Sequence, residues 1–284
     1  MKLVTGAKGF IGSHLVEKLD ANVARCDPAD PMLIQPKLCT RYLNMASWDI
    51  ECAFHLGAIS STAETDISKL TESNIFYSCQ LLDFCIERSV PFVYASSASV
   101  YGLATNGFKE DGPLAPLNYY AISKTAFDMY ALQKMKDNPT AKIVGLRYFN
   151  VYGKNETHKG NMASPVHKFI RQAHESGTIK IFEGSEKFVR DFVHVDDVVD
   201  ITIAAKDFES GIYNVGTAEA RSFVDVARII ADLTDANIVE IPFPDYLEGK
   251  YQEYTCSDNA KINSTGYTAN RISLEEGVKR VASD

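Results

Sequence analysis

Hydrophobic positions along the chain fall into short runs separated by stretches of helical period. Leu3 and Val4 lie in a run, Lys2–Thr5, that reads as a short buried strand, and Leu15, Val16 and Leu19 then mark one face of a helix. Further strands are predicted over residues 22–26, 52–56, 92–96 and 142–147, with helices over 69–87 and through the segment that carries Tyr120 and Lys124. Strands alternating with helices predict an α/β fold: a Rossmann-type, doubly wound parallel sheet with right-handed crossovers and helices on both faces. Residues 28–50, with Pro28, Pro31, Pro36 and little periodicity, predict that a helix found in longer chains of this fold is shortened or missing.

After Gly153 the regular alternation stops. A polar loop, a helix over 164–175 and a strand over 180–182 are expected next, followed by a helix ending near Ala205, a strand over 212–216 that returns to the sheet, a helix over 223–233 and a strand over 238–241. The expected organisation is a dinucleotide-binding domain over 1–153, to which 191–216 returns, and a smaller C-terminal α/β substrate-binding lobe over most of 154–284.

The connection after the first strand is Gly6-Ala7-Lys8-Gly9-Phe10-Ile11-Gly12, a strand, glycine turn and helix start. Glycines at this spacing allow a tight turn, close approach of a pyrophosphate to backbone N–H groups, and close helix packing. Asp27 ends the second strand, where a carboxylate receives the adenosine ribose hydroxyls and favours NAD. Asp27-Pro28 also reads as a turn, and Arg25, Lys37 or Arg41 could pair with a 2′-phosphate, so the cofactor is NADP or NAD. Gly6, Asp27, Gly57, Ser97 and Asn150 all fall at or just after strand carboxyl ends, where one cleft can gather them.

Tyr120 and Lys124 are four residues apart, so on a helix the phenol and ammonium share a face and the cation favours phenolate. The same spacing also fits an ordinary amphipathic helix. Composition narrows the field further. The 284 residues are 45% hydrophobic, enough for a large core, and no apolar run approaches the ~20 residues of a membrane span. A net charge of −8 gives no basic footprint for nucleic acid or an anionic membrane. The six cysteines form no C-x-x-C pair and no grouping with His, so no metal is expected. The start of the chain runs straight into a strand without an apolar leader, and a cytoplasmic location is expected.

Several segments together resemble the extended short-chain dehydrogenase/reductase family. They are Thr5-Gly6-x-x-Gly9-x-x-Gly12, Ser96-Ser97-Ala98-Ser99-Val100-Tyr101-Gly102, Tyr120-x-x-x-Lys124, Arg147-Tyr148-Phe149-Asn150-Val151-Tyr152-Gly153 and Arg190-Asp191-Phe192-Val193-His194-Val195-Asp196-Asp197. The resemblance implies action on a nucleotide-diphosphate sugar, with Ser97, Tyr120 and Lys124 as the catalytic triad. It implies cofactor contacts from Gly6, Gly9, Phe10, Ile11, Gly12, Asp27, Leu56, Gly57, Ala58, Ser60, Ser73 and Val151, together with Tyr120, Lys124 and Lys159.

Four further segments are similar to the ADP-glycero-manno-heptose 6-epimerase branch of that family. They are Val90-Pro91-Phe92-Val93-Tyr94-Ala95-Ser96-Ser97, His158-Lys159-Gly160-Asn161-Met162-Ala163-Ser164, Phe182-Glu183-Gly184-Ser185-Glu186 and Ile241-Pro242-Phe243-Pro244-Asp245. This narrower likeness implies ADP-heptose as substrate, transient oxidation to a 6-keto sugar, and Lys159 as a second acid/base beside Tyr120. It also implies a role in lipopolysaccharide heptose supply and a homo-oligomer. Substrate contacts are implied for Ser97, Asn150, Asn161, Lys168, Phe182, Glu183, Gly184, Ser185, Arg190 and Tyr251. Asn161 and Lys168 depart from the Ser and His of that branch, and His167 stands beside Lys168, which keeps another nucleotide-sugar epimerase open. Arg190 reads equally as part of a structural network with Asp191, and Asn74 as a residue ordering backbone. A 4,6-dehydratase is disfavoured because Ala98-Ser99, not Asp-Glu, follow Ser97; a non-catalytic dinucleotide sensor need not keep Ser97, Tyr120 and Lys124 together.

Overall fold

A computed structural model describes residues 1–19, 22–26, 49–104, 107–244, 252–268 and 271–283. Asp27, the 28–48 part of the proline-containing stretch, and Tyr251 lie outside the described residues.

Five strands follow the predicted alternation: β1 (Lys2–Thr5), β2 (Val23–Cys26), β3 (Cys52–His55), β4 (Phe92–Ser97) and β5 (Ile143–Tyr148). With β9 (Gly211–Val215) they form one six-stranded sheet in the order β2-β1-β3-β4-β5-β9, every pair parallel. The chain leaves β1 outward to β2 and then crosses back to β3 on its other side. This reversal opens a crevice at the carboxyl ends of β1 and β3.

Successive strand residues point to opposite faces, and each face has its own core. Val4, Phe54, Val93, Leu146 and Val215 pack under the helices α1 (Phe10–Leu19) and, later in the chain, 195–204. Leu3, Ala53, Phe92, Tyr94 and Ile143 pack on the other side, with Leu81, Leu82 and Phe127 of the next two helices. The first of these, α2, comprises Ile67–Leu70, a π-helical stretch Thr71–Phe76 and Tyr77–Glu87. The prediction of a uniform helix over 69–87 missed that stretch, because hydrophobic spacing barely registers one residue of local unwinding. The second, α3 (Tyr119–Asp137), starts at Asn118, whose side chain accepts from the Ala121 N–H.

The rest of the chain makes two small sheets. β6 (Asn150–Tyr152), β8 (Val189–His194) and β10 (Ala220–Ser222) form one, ordered β10-β8-β6; β7 (Thr178–Phe182) and β11 (Asn237–Ile241) form the other. Helices α4 (Pro165–Ser176), α5 (Val195–Ala204) and α6 (Phe223–Thr234) match the predicted ones within a residue or two. Two helices were not predicted: α7 (Ala260–Ser264) and α8 (Leu274–Ala282). Leu274, Val278 and Val281 of α8 share a core with Val166, Ile170, Ile179, Phe192 and Ile230, so the signal for that helix was present at i, i+4, i+7.

Candidate active site

The glycine turn is closed to side chains. Gly6 has φ +69°, and a Cβ there would stand 2.7 Å from the Gly57 nitrogen; a Cβ on Gly12 would stand 1.9 Å from the Gly6 carbonyl oxygen. The first N–H groups of a helix have no intrahelical partners, and here they begin at Phe10, Ile11 and Gly12. Backbone packed this tightly against a helix start fits a dinucleotide pyrophosphate. Leu56 and Ala58 are half-buried beside the turn, Ser60 is exposed, and Ser73 is half-buried on the π-helical stretch.

A buried hydrogen-bond chain joins this turn to the helix that carries Tyr120. Gly57 N–H donates to Thr5 Oγ1 (3.1 Å), which lies 2.7 Å from His55 Nδ1; His55 Nε2 lies 2.8 Å from Ser78 Oγ, and Ser78 donates to the Asn74 carbonyl (2.8 Å). Because Ser78 spends its only proton on Asn74, it accepts from His55 Nε2–H, and Nδ1 accepts from Thr5. The neutral imidazole this requires agrees with its environment: burial, then the Lys124 charge, pushes His55 down to about 3. The Asn74 side chain continues the path. It holds both the N–H and C=O of Ile59 (2.9 and 3.0 Å) and donates to Ser123 Oγ (3.0 Å), which donates to the Tyr120 carbonyl (2.7 Å). Asn74 therefore orders backbone, as its sequence position suggested.

Tyr120 is buried, and its phenol hydrogen-bonds Ser97. Ser97 ends β4 and accepts from the Ser99 N–H (3.2 Å) and hydroxyl (2.9 Å). Burial opposes the expected effect of Lys124 in tipping Tyr120 toward phenolate. Lys124 Nζ donates to the Ala95 carbonyl at 2.9 Å, and burial pushes the Tyr120 phenol up, opposed by the Ser97 hydrogen bond. Loss of hydration penalises the phenolate more than its neighbours favour it. Burial also pushes Lys124 down to about 8, against the charge of Asp128. Asp128 is 1% exposed, one turn beyond Lys124, and pairs with the equally buried Arg147 (Nε to Oδ2, 3.0 Å). It was not singled out in the sequence, although its i+4 position from a lysine was a usable signal.

The Lys159 loop approaches from β6. Lys159 Nζ lies 2.8 Å from Glu156 Oε2 and 4.6 Å from the centroid of the Phe10 ring, so the loop touches the dinucleotide turn. Glu156 is fully buried and was missed; it sits in a polar loop where periodicity carries no information. His167 and Lys168 are half-buried on the first turns of α4, and burial lowers the pKa of both while Glu156 opposes it. Asn161 is exposed on the loop.

Other expected substrate contacts are scattered. Asn150 and Val151 lie half-buried on β6, paired with Phe192 and Val193. Phe182 packs edge-on against Phe243, Gly184 takes φ +76°, Glu183 is exposed, and the buried Ser185 donates to the Phe182 carbonyl. Arg190 does not present an open fork for a diphosphate. Its guanidinium donates to the carbonyls of Val189, Gln252 and Glu253 and lies over Phe223, strapping the 252–255 segment to β8. Asp191 belongs to a separate network, accepting from Thr217, Ala218 and Ser257. Among the described residues there is no group of three His, Cys, Asp or Glu that could hold a metal, and no helix long and apolar enough to cross a membrane.

A glycine-turn dinucleotide cradle beside a buried Ser-Tyr-Lys constellation on a parallel sheet defines a dinucleotide-dependent fold of the Rossmann type. In agreement, the model of the NAD dependent epimerase/dehydratase family matches residues 2–216, and the chain belongs to that family. An ADP-L-glycero-D-manno-heptose-6-epimerase of Brachyspira hyodysenteriae is 40% identical over 309 residues, covering 99% of this chain and 96% of that protein. Among solved structures, the ADP-L-glycero-D-manno-heptose-6-epimerase of Helicobacter pylori superposes with a TM-score of 0.86 at 28% identity, covering 99% of this chain and 94% of that one. The UDP-glucose 4-epimerase of Thermus thermophilus in complex with NAD gives 0.85 at 26% identity, covering 100% and 98%.

Proposed function

We propose that this chain epimerises a nucleotide-activated sugar, and that the sugar is ADP-glycero-manno-heptose, inverted at C6. The observation that carries the reading is the placement of Lys159. A second proton-carrying side chain, in addition to Tyr120, is tied against Phe10 of the dinucleotide turn. The full-length likeness to the Brachyspira protein supports the choice of sugar.

C6 of such a heptose bears a hydroxyl and no acidic proton, so inversion requires a planar carbon. A nicotinamide cofactor held at the glycine turn would supply reversible hydride transfer at C6 and with it that planar carbon. This chain's residues do the rest. Ser97 donates a hydrogen bond to the reacting oxygen, Tyr120 exchanges its proton, and Lys159 does the same for the oxygen of the other epimer. Lys124 would hold the nicotinamide ribose hydroxyls, and the glycine turn would hold the pyrophosphate. With Arg190 committed to backbone carbonyls, Lys168 is the remaining cation among the expected substrate contacts that could meet the substrate diphosphate.

The deciding experiment incubates purified protein with ADP-D-glycero-D-manno-heptose, without added reductant, and follows the sugar by proton NMR. The 6″-epimer is expected. An unchanged spectrum from cofactor-loaded protein that turns over a UDP- or GDP-sugar would overturn the assignment. A homo-oligomer belongs to the same reading, supported by the exposed Phe76, Ile122 and Met129 of α2 and α3, and is checked by sedimentation.

A further inference from the structure

We propose that Glu156 is a positioning residue that fixes the Lys159 ammonium at the edge of the dinucleotide turn; this rests on Lys159 being the second acid/base. Glu156 stands where β6 ends and the Lys159 loop begins, and it is wholly buried. A carboxylate so placed must be matched by donors and by a charge. Three neutral donors come from fixed structure. Gly153 N–H (3.2 Å) and Ser164 Oγ (2.6 Å) donate to Oε1, and Ser164 N–H (2.7 Å) donates to Oε2. These tie the carboxylate to the end of β6 and to the residue that caps α4. The fourth partner is Lys159, on Oε2 at 2.8 Å.

The local backbone makes this pairing direct. Thr157–Lys159 forms a 3₁₀ turn before the Gly160 kink, and at three residues per turn side chains at i and i+3 stand one above the other, as Glu156 and Lys159 do. Gly160, with φ +51°, ends that regular geometry immediately after the lysine. Lysine is otherwise a poor choice where an acid/base must sit in one place, since four rotatable bonds leave its ammonium many positions. Here the carboxylate holds the ammonium from one side and the Phe10 ring from another. Lys168 and Arg171 of α4 add positive charge near the pair, and Glu156 offsets their repulsion of Lys159.

The test is a two-by-two set of variants in cofactor-loaded protein: Glu156→Gln, Lys159→Met and both together, scored for kcat, KM, bound cofactor and thermal stability. Glutamine keeps the shape but removes the charge and places an amide donor against existing donors. Glu156→Gln is expected to lower kcat by about 100-fold with KM nearly unchanged, the size of loss that misplacing a reacting group produces. In the Lys159→Met background it should cost nothing more. Losses that multiply instead would show that Glu156 acts independently of Lys159 and overturn the proposal, as would a Glu156→Gln enzyme with normal kcat beside an inactive Lys159→Met. A fully active Lys159→Met would instead remove the reading on which the proposal rests. If Glu156→Gln does not retain cofactor, Glu156→Asp decides: it keeps the charge but draws it back one methylene. A smaller fall in kcat that again vanishes without Lys159 supports the role, and an unchanged kcat refutes it.

Discussion

The Ser97–Tyr120 region and the Lys159 loop solve the same problem in opposite ways. Ser97 and Tyr120 stand at the end of a central strand and the start of a 19-residue helix, with Asn74, Ser123 and the His55 chain locking the backbone behind them. Lys159 stands on a short 3₁₀ loop, and its place depends on one buried carboxylate and one aromatic ring. Regular structure can hold a reacting group through many weak restraints. A loop has to hold it through a few strong ones.

The contrast can be broken most severely by removing both proton carriers. Tyr120→Phe with Lys159→Met should lose at least ~10⁴-fold in epimerisation while retaining bound cofactor, since each acid/base group contributes about 10²–10⁴-fold. Near-normal turnover would end the two-base account. Next in size is the buried pair under the sheet region. Arg147→Met removes the guanidinium partner of the buried Asp128 and should cost about 3–5 kcal/mol in urea unfolding. A comparable loss is not expected from Arg280→Met, whose carboxylate partners lie at the surface.

The His55 chain predicts a pH dependence of intermediate size. His55 takes a proton only near 3 when folded, but near its ordinary value when unfolded, so the unfolded chain binds the extra proton between those limits. The neutral ring's contribution is therefore complete above about pH 6.5 and is lost as pH falls toward 3, at roughly 1.4 kcal/mol per pH unit. Urea titrations from pH 6 to 4 should show this extra slope, and His55→Asn should be flatter. The smallest effect belongs to the loop. Gly160→Ala meets no neighbouring atom within 4 Å, so its cost is that of the positive φ alone, about 1–2 kcal/mol. A fall in kcat larger than that destabilisation explains would show that loop geometry is felt at Lys159.

The two regions also differ in how far the sequence disclosed them. The sheet, its glycine turn and the Tyr120–Lys124 spacing were legible because period and turn chemistry are local properties. What escaped was decided at a distance. Nothing near Glu156 in the sequence says that Ser164 will cover it, and nothing in Arg190 says that the carbonyls of Gln252 and Glu253 will absorb its guanidinium. The phenolate argument for Tyr120 was incomplete for the same reason: spacing gives the neighbour, but burial, which spacing does not report, acts against it.

The π-helical stretch Thr71–Phe76 has a consequence for how this fold can vary in length. A π turn is an α-helix carrying one extra residue, so deleting one residue there would let the two flanking helical segments join in a single α register with their buried faces intact. Deletion elsewhere in α2 would rotate one buried face by about 100° out of the core. The insertion is thus the one point along this helix where the chain can shorten without refolding, and what it would lose is Asn74's grip on Ile59 and Ser123. Such a deletion would keep the sheet and both helical faces packed while the Tyr120 backbone lost its outer support, at the cost of the buried polar groups that Asn74 now satisfies.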